Sequence, residues 1–575
     1  MKPDQLLAWS LLLTLSACTG GGGGEDGNRG STGSTDTGNT GAPASVFATE
    51  ETDAVKDVAA VYAVEKQQVL AASVITVDSD TWTFADINND IDDTDASTPE
   101  IDAHMVIDGF PDDGKPVNAT IRLRGHSSRL AEQKSYRIKL AKDAGLWRGE
   151  QTFQLNKHPW DVTRLRNKLA FDLFRDIAHI PSLRTQFVRM QVSNLDQKRV
   201  QYANADFGLF THIEKMGKEY LANRQLPTDG NIYKAEDFDF TFNDNLKLDS
   251  SANAASKSAF ETVLSLEADN KNHQTLLSMI QAVNDEGTPF DKTFGQYFDK
   301  SNYLTWLASS ILLGNRDTIN RNFALYQPKA GTRFYFLPWD YDGAFNFEDQ
   351  PDQRSKPLYA PWQLTLANWW GVPLHRRFIQ DARNLQDLKL AVDELYARYL
   401  TADQIKARLD AYKPLVQPLI LADPDRAHLP LAGNAAVEQE WQDEVARIAT
   451  VPKLNRDRFF STLENPMPFW QAATLQANGS VLFTWDAAVD LQGDSVSYTV
   501  ALARTPDFSS PLWQREVNGT DASTTGLVDG VYYLKVVARD SKGNIQGGFD
   551  VTRVGQQSYF GVYSFEINKG SLSRL

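Results

Sequence analysis

The chain has 575 residues, 42% of them hydrophobic, with a formal net charge of −16. That length exceeds a single core and predicts two or three domains, and 13 Trp, 19 Tyr and 30 Phe supply ample apolar area to fill them. The acidic balance excludes nucleic acid or an anionic membrane surface as the main partner, because no basic excess exists to neutralise phosphates.

The first segment is an address. Lys2 gives a short positive region, Leu6 to Leu15 an apolar core, and Leu15-Ser16-Ala17-Cys18 a lipoprotein-type cleavage box. The apolar run is too short to span a bilayer and reads as a signal peptide over residues 1–17. Cys18 is the only cysteine, which excludes an intramolecular disulfide and makes it the predicted lipid acceptor. Thr19 rather than Asp after it resembles a bacterial lipoprotein sent on to the outer membrane and the cell surface. The predicted membrane contact is this lipid anchor alone, since no later run of 18 apolar residues offers a spanning helix. Residues 18–45, rich in Gly, Ser and Thr, cannot bury a core and read as a flexible tether.

Val69 to Val77 and Thr81 to Phe84 read as strands. The acidic stretch Asp86 to Asp95 opens like a calcium loop but lacks the Gly and Glu such a loop needs, and so reads as a solvated loop. Residues 118–140 alternate as a hairpin, with Tyr136, Ile138 and Leu140 on one face and Ser135, Arg137 and Lys139 on the other. Its cationic face and its turn, Arg124-Gly-His-Ser127-Ser128-Arg129, suit a triphosphate. Lys139 sits where a strand-borne lysine would approach the α- and β-phosphates, and Lys134 is the rival. Asp161 is placed to cap a helix whose apolar positions Val162, Leu165, Leu169, Leu173 and Ile177 recur at helical spacing. Thr185–Ser193 and Phe207–Ile213 read as strands, the second ending on Glu214, the upstream acid best placed to pair with the phosphate lysine. Residues 236–275 read as an insertion facing the substrate, of no legible role. Helical periodicity follows over Phe290–Leu313 and again from Pro373 to about Phe460.

Between those helical stretches lies the most informative segment, Gly314 to Phe345. Asp317 and Asn322 reproduce the Asp-to-Asn interval of a protein-kinase catalytic loop, where Asp receives the substrate hydroxyl proton and Asn holds Mg²⁺. A short strand then delivers Asp340 and Asp342 into a loop, as a kinase delivers its second metal-binding Asp. Such an interval alone is a weak signal. The surrounding pattern R-D-x4-N-x2-L-Y followed by F-x-P-W-D-x-D strengthens it, as do Leu123–Leu140, Leu165–Phe174 and Phe207–Leu221 upstream. Together, in this order over roughly residues 100–380, they resemble the spore coat protein H (CotH) kinase family, secreted atypical kinase-like proteins.

From about Asn465 the pattern changes to short strands between Gly, Asp and Ser turns, including Leu482–Trp485, Val496–Ala503 and Val531–Ala538, which predicts a β-sandwich. Leu527-x-x-Gly530-x-Tyr532 resembles the approach to strand F of a fibronectin type III domain, with Trp485 as its core Trp.

The fold expected is therefore α+β: a two-lobed, atypical kinase-like domain over residues 46–464, then an all-β, fibronectin III-like sandwich over 465–575. The resemblance implies an exported, lipid-anchored kinase that uses ATP with Mg²⁺ or Mn²⁺ to phosphorylate Ser or Thr of a cell-surface or secreted protein. Asp317 would act on the hydroxyl, Asn322, Asp340 and Asp342 would hold metal, and Arg124, Ser127, Ser128, Arg129, Lys134, Lys139 and Glu214 would form the nucleotide site. There is no G-x-G-x-x-G-x-V loop and no D-F-G, so the nucleotide pose is left open. The sandwich is expected to dock a protein or a glycan. The competing class is a non-catalytic surface scaffold or adhesin. A glycoside hydrolase fits less well, because acids two residues apart do not flank a glycosidic bond at ~5–9 Å.

Overall fold

The computed structural model describes residues 45–90, 99–110, 112, 114–125, 127–194, 204–351, 359–431 and 436–575. Cys18 and the tether up to residue 44 lie outside the described residues.

The first architectural unit is a closed barrel of seven strands. These are β1 (Leu70–Val77), β2 (Glu100–Ile107), β3 (Ala119–Arg124), β4 (Ser135–Leu140), β5 (Thr152–Asn156), β6 (Thr185–Asn194) and β7 (Ala205–Glu214). Their order around the barrel is β1-β2-β3-β4-β5-β7-β6, and the parallel pair β1–β6 closes it. Period-two alternation fills the interior with Val74, Met105, Ile121, Tyr136, Ile138, Leu155 and their neighbours, a core separate from the rest of the molecule. Polar residues of β3–β5 are thereby turned outward.

Two readings upstream are corrected. Thr81–Phe84 is not a strand, because Thr83 caps a short helix, Phe84–Asn89, by a reciprocal bond with Asp86. The first residues of the stretch read as a solvated loop, Asp86 to Asn89, are thus helical; residues 91–98 lie outside the described set.

The second lobe has a larger core and a four-stranded antiparallel sheet in the order β11-β10-β8-β9. Its strands are β8 (Asn231–Ala235), β9 (Leu264–Ala268), β10 (Phe323–Gln327) and β11 (Tyr335–Pro338). The stretch 236–275 thus supplies a strand of this sheet. Helices α1 (Arg166–Phe174), α2 (Lys300–Leu313), α3 (Ala382–Tyr399), α4 (Ala402–Ile420), α5 (Val437–Ile448) and α6 (Val451–Thr462) pack in the same lobe. Asp161 is not the cap: α1 starts four residues later than the spacing predicts, behind Leu165, although the Asp161 carboxylate accepts the Arg166 N–H at 3.0 Å. The predicted apolar stripe, Val162 to Ile177, is buried throughout.

The C-terminal region is all-β. A three-stranded sheet, β12 (Gln471–Leu475), β13 (Val481–Trp485) and β16 (Asp521–Thr524), faces a larger one. The larger sheet runs β15 (Pro511–Val517), β14 (Val496–Ala503), β17 (Gly530–Asp540), β21 (Val562–Asn568) and β22 (Ser571–Arg574), with β18 (Ile545–Gly547) on β17. Strands β19 (Val551–Val554) and β20 (Gln557–Phe560) form a separate hairpin. Phe483, Trp485, Val500, Leu534 and Phe565 fill the sandwich core. The Tyr532 hydroxyl donates to the Val528 carbonyl at 2.7 Å, the corner that ties the approach to β17. Among the described residues no helix is long and apolar enough to cross a membrane.

Candidate functional site

The antiparallel pair β10–β11 decides where the acids go. Phe323 lies opposite Pro338, so Asn322, just before β10, and Asp340, just after β11, emerge at the same end of the sheet. Lys234 on β8 lies beside Ala324 and reaches that end too. Gly314 closes α2 in the left-handed conformation at φ +62° and turns the chain into Asn315-Arg316-Asp317. Asn322 Nδ2 donates to Asp317 Oδ2 at 3.0 Å, which leaves the Asn322 carbonyl oxygen for another partner.

The D-x-D turn is clasped from behind. Asn167 Oδ1 accepts the Tyr341 N–H at 3.1 Å, and Arg166 Nε donates to the Ala344 carbonyl at 3.0 Å. Arg166 is itself fixed by Asp161 and Glu444. Arg447 donates to the carbonyls of Phe345 and Asn346 at 3.0 Å each. Asp340 and Asn322 have φ of +53° and +59°. Left-handed backbone in residues with a Cβ persists only where the surroundings enforce it.

Electrostatics mark the same spot. Burial pushes the Asp317 carboxyl up to about 6, with Asp342 adding to the rise and Arg321 and the Asn322 bond opposing it. Asp317 is nonetheless exposed at the cleft mouth, so solvent screens part of that effect. Burial also drives Asp340 well above the usual carboxylate range; Asp342 reinforces this, and Arg124, His158 and Lys234 oppose it. Two crowded acids with a free amide oxygen nearby form a hard-oxygen donor set. A divalent cation would relieve the crowding, so these residues fit one.

The barrel contributes the facing wall. Arg124, at the end of β3, hydrogen-bonds Asn156 of β5 and acts on the Asp340 charge. Lys234 meets it from the other lobe, 2.7 Å from Glu236 and 5.6 Å above the Trp339 ring. His158, two residues past β5, lies 3.5 Å from Asp342.

The remaining nucleotide-site readings do not converge here. Lys139 is paired in register with Thr120 and Thr152, whereas Arg124 pairs with Ser135. Lys139 therefore lies four residues further along the strand, roughly 13 Å away, and is exposed. Lys134 donates to the Arg129 carbonyl at 2.5 Å. Arg129 is turned inward, 1% exposed, with its guanidinium donating to the Gly125 carbonyl and approaching Asp90. Ser128 Oγ folds over Gly125, where a Cβ would lie 2.1 Å from it; the Ser127 side chain lies outside the described set. Glu214 pairs with Arg184 and Arg224 rather than a lysine, and these cations overcome burial to hold it low. Strand parity found the outer face correctly, but it could not tell which end of the strand meets the second lobe. Lys234, His158, Arg166 and Asn167 were missed. The segment Leu165–Phe174, noted among those resembling the family, was the one available signal for the last two.

The family model described as CotH kinase protein matches residues 121–458, more than half of the chain. The chain belongs to the CotH kinase family. It is 25% identical over 311 residues to the inner spore coat protein H of Bacillus subtilis (strain 168), a match covering 54% of this chain and 80% of that protein. A crystal structure of the Helicobacter pylori proinflammatory kinase CtkA aligns at 12% identity over 56% of this chain and 94% of the other, with a TM-score of 0.26. The family match runs from within β3 to within α6, and it includes every residue of the cleft described above.

Proposed function

We propose that this CotH family member is a metal-dependent protein kinase, transferring the γ-phosphoryl group of ATP to Ser or Thr of a protein at the cell surface. The observation that carries this reading is the meeting of Asp317, Asn322 and Asp340 at one sheet end, beside Lys234 and facing Arg124 of the barrel. Asp317 orients the incoming hydroxyl and accepts its proton; a carboxyl raised to about 6 is suited to a base working near neutral pH. Asn322, Asp340 and Asp342 hold the divalent ion. When bound, that ion neutralises the phosphate oxygens between which charge moves in transfer. Arg124 and Lys234 neutralise the rest of the triphosphate, one cation from each lobe, in place of Lys139 and Lys134.

Export, lipid attachment at Cys18 and a fibronectin type III-like role for the sandwich, docking a protein or glycan, complete the proposal. The Trp485 core position and the Tyr532 corner support that reading of the sandwich. The test is to incubate the purified chain with γ-labelled ATP and Mg²⁺ or Mn²⁺, alone and with extracted surface proteins. Label on Ser or Thr, lost in Asp317→Ala, is the expected result. An absence of nucleotide binding with either metal, read by calorimetry, would hand the fold to the scaffold reading.

A further inference from the structure

Arg321 carries a charge that the fold itself does not use. The residue is partly buried, and among the described residues its guanidinium makes neither a hydrogen bond nor an ion pair. Charges drawn out of water are as a rule paired, because hydration is otherwise lost without compensation. Its neighbours on both sides are fixed. The Asn320 amide donates to Asp237 Oδ1 at 2.7 Å, and the Asn320 carbonyl accepts the Phe238 N–H at 2.7 Å. Asn322 donates to Asp317 Oδ2 at 3.0 Å, and Phe323 after it enters the β10–β11 pairing. The backbone therefore holds Arg321 at the cleft mouth.

Two acids feel its charge. Burial raises the carboxyls of Asp317 and Asp237, and in each case Arg321 is the strongest influence the other way. Asp237 does not consume that charge, since one of its oxygens is taken by Asn320 and it forms no ion pair with Arg321. The cations that act on Asp340 are different ones, Arg124, His158 and Lys234. The cleft thus has one group of cations on the Asp340 side and a separate cation, Arg321, on the Asp317 side. The anion that calls for Arg321 is one that arrives beside Asp317.

We propose that Arg321 is a further catalytic residue, binding the γ-phosphoryl group as it passes to the acceptor hydroxyl. The inference rests on the kinase reading and deepens it. In the transfer the acceptor oxygen forms its bond to the γ-phosphorus while the bond from phosphorus to the β–γ bridging oxygen breaks. That electron pair leaves with ADP, and the hydroxyl proton passes to Asp317. The three other phosphoryl oxygens bring negative charge toward the Asp317 carboxylate. A guanidinium at that place offsets the repulsion, and it acts more strongly on the group in flight than on the group still held by ATP. Arg321 therefore governs turnover rather than nucleotide affinity.

Calorimetry on the full chain with Mg²⁺ compares ADP alone with ADP plus aluminium fluoride, a mimic of the planar phosphoryl group. The parent should bind the pair at least tenfold more tightly than ADP. Arg321→Met should bind ADP within threefold of the parent yet lose that gain, and Arg321→Lys should recover part of it. Label transfer from γ-labelled ATP, to the chain itself and to serine peptides with acidic or neutral flanks, should fall about a hundredfold in Arg321→Met on every acceptor. Circular dichroism should show an unchanged melting curve. A gain that is absent in the parent, or that survives in Arg321→Met, overturns the proposal. So does a defect confined to acidic peptides, which would make Arg321 a reader of substrate charge. If the parent binds ATP and transfers phosphate, and Arg321→Met matches its rate, Arg321 alone is misassigned. If the parent binds no nucleotide with Mg²⁺ or Mn²⁺, the kinase reading has failed with it.

Discussion

At the residue scale, Asp317 and Asp340 are both acids raised by burial, yet their positions demand different losses. Asp317→Ala should reduce phosphoryl transfer by a factor of about 10³ or more while leaving nucleotide binding within about threefold, since it acts on the hydroxyl. Asp340→Ala should weaken metal-dependent nucleotide binding at least tenfold as well as turnover; calorimetry beside a transfer assay separates the two. The cations give a sharper contrast. Arg124→Ala and Lys234→Met should each cost about tenfold in nucleotide affinity, whereas Lys139→Ala should leave it unchanged. A large effect at Lys139 would mean that the nucleotide lies along the barrel wall instead. Asp550 supplies a pH test away from the site. Burial raises its carboxyl to about 6, against the opposing Arg574 and Gln471. The folded state therefore holds this proton between about pH 4 and 6 while the unfolded chain has released it. Its contribution to stability is present at the acid end of that window and is lost as pH rises through 6, by roughly 3 kcal/mol at most. Asp550→Asn should become progressively more stable than the parent between pH 4 and 7 in denaturant titrations, and an invariant difference would contradict the assignment.

At the element scale, the loop that carries Asp317 depends on a glycine. A Cβ on Gly314 would fall 2.1 Å from Asn346 Oδ1 and 2.6 Å from Asn455 Nδ2, and those two side chains bond each other at 2.9 Å. Asn346 also accepts from Arg316 at 3.0 Å, one residue before Asp317. Gly314→Ala should cost about 1–2 kcal/mol for left-handed backbone alone and more as the asparagines shift, so both melting temperature and turnover should fall. The same segment shows what was legible in the sequence. Spacing picks out Asp317, Asn322, Asp340 and Asp342, but the sequence pattern shows only one short strand before the D-x-D turn; it is the antiparallel pairing of β10 with β11 that returns both motifs to one sheet end. The barrel was not legible, because each strand shows alternation but closure depends on the parallel pairing of β1 with β6, more than a hundred residues apart. Lys234 was hidden for a similar reason. It sits in a stretch without a motif, and only the β8–β10 register brings it to the site. The loop after β8 also proved to be a prop: Asp237 accepts from Asn320 at 2.7 Å, and the Phe238 N–H donates to the Asn320 carbonyl at 2.7 Å.

At the scale of the whole molecule, the sandwich has its own core, as its strand pattern predicts, but it is also joined to the second lobe. Met467 and Phe549 belong to the larger core, and Val489 and Leu491 pack against it. Phe549, 8% exposed, meets the Trp362 ring edge-on at 4.9 Å and lies against Gly371, where a Cβ would stand 3.7 Å from the ring. Between those two contacts is Asn368, whose amide donates to the Arg316 carbonyl at 3.1 Å, beside Asp317. The ring from the sandwich thus supports a segment that holds the loop carrying Asp317. Phe549→Ala should lower turnover several-fold with nucleotide affinity nearly unchanged, because Arg124, Lys234 and Asp340 are held by other contacts. Asn368→Ala should reproduce the turnover defect. The double variant should fall short of the product of the two, since both act through one loop. Removing residues 466–575 should leave a remainder that still binds nucleotide but melts lower and turns over at the rate of Phe549→Ala. Full turnover in that truncated chain would reduce the contact to simple adhesion between neighbouring cores.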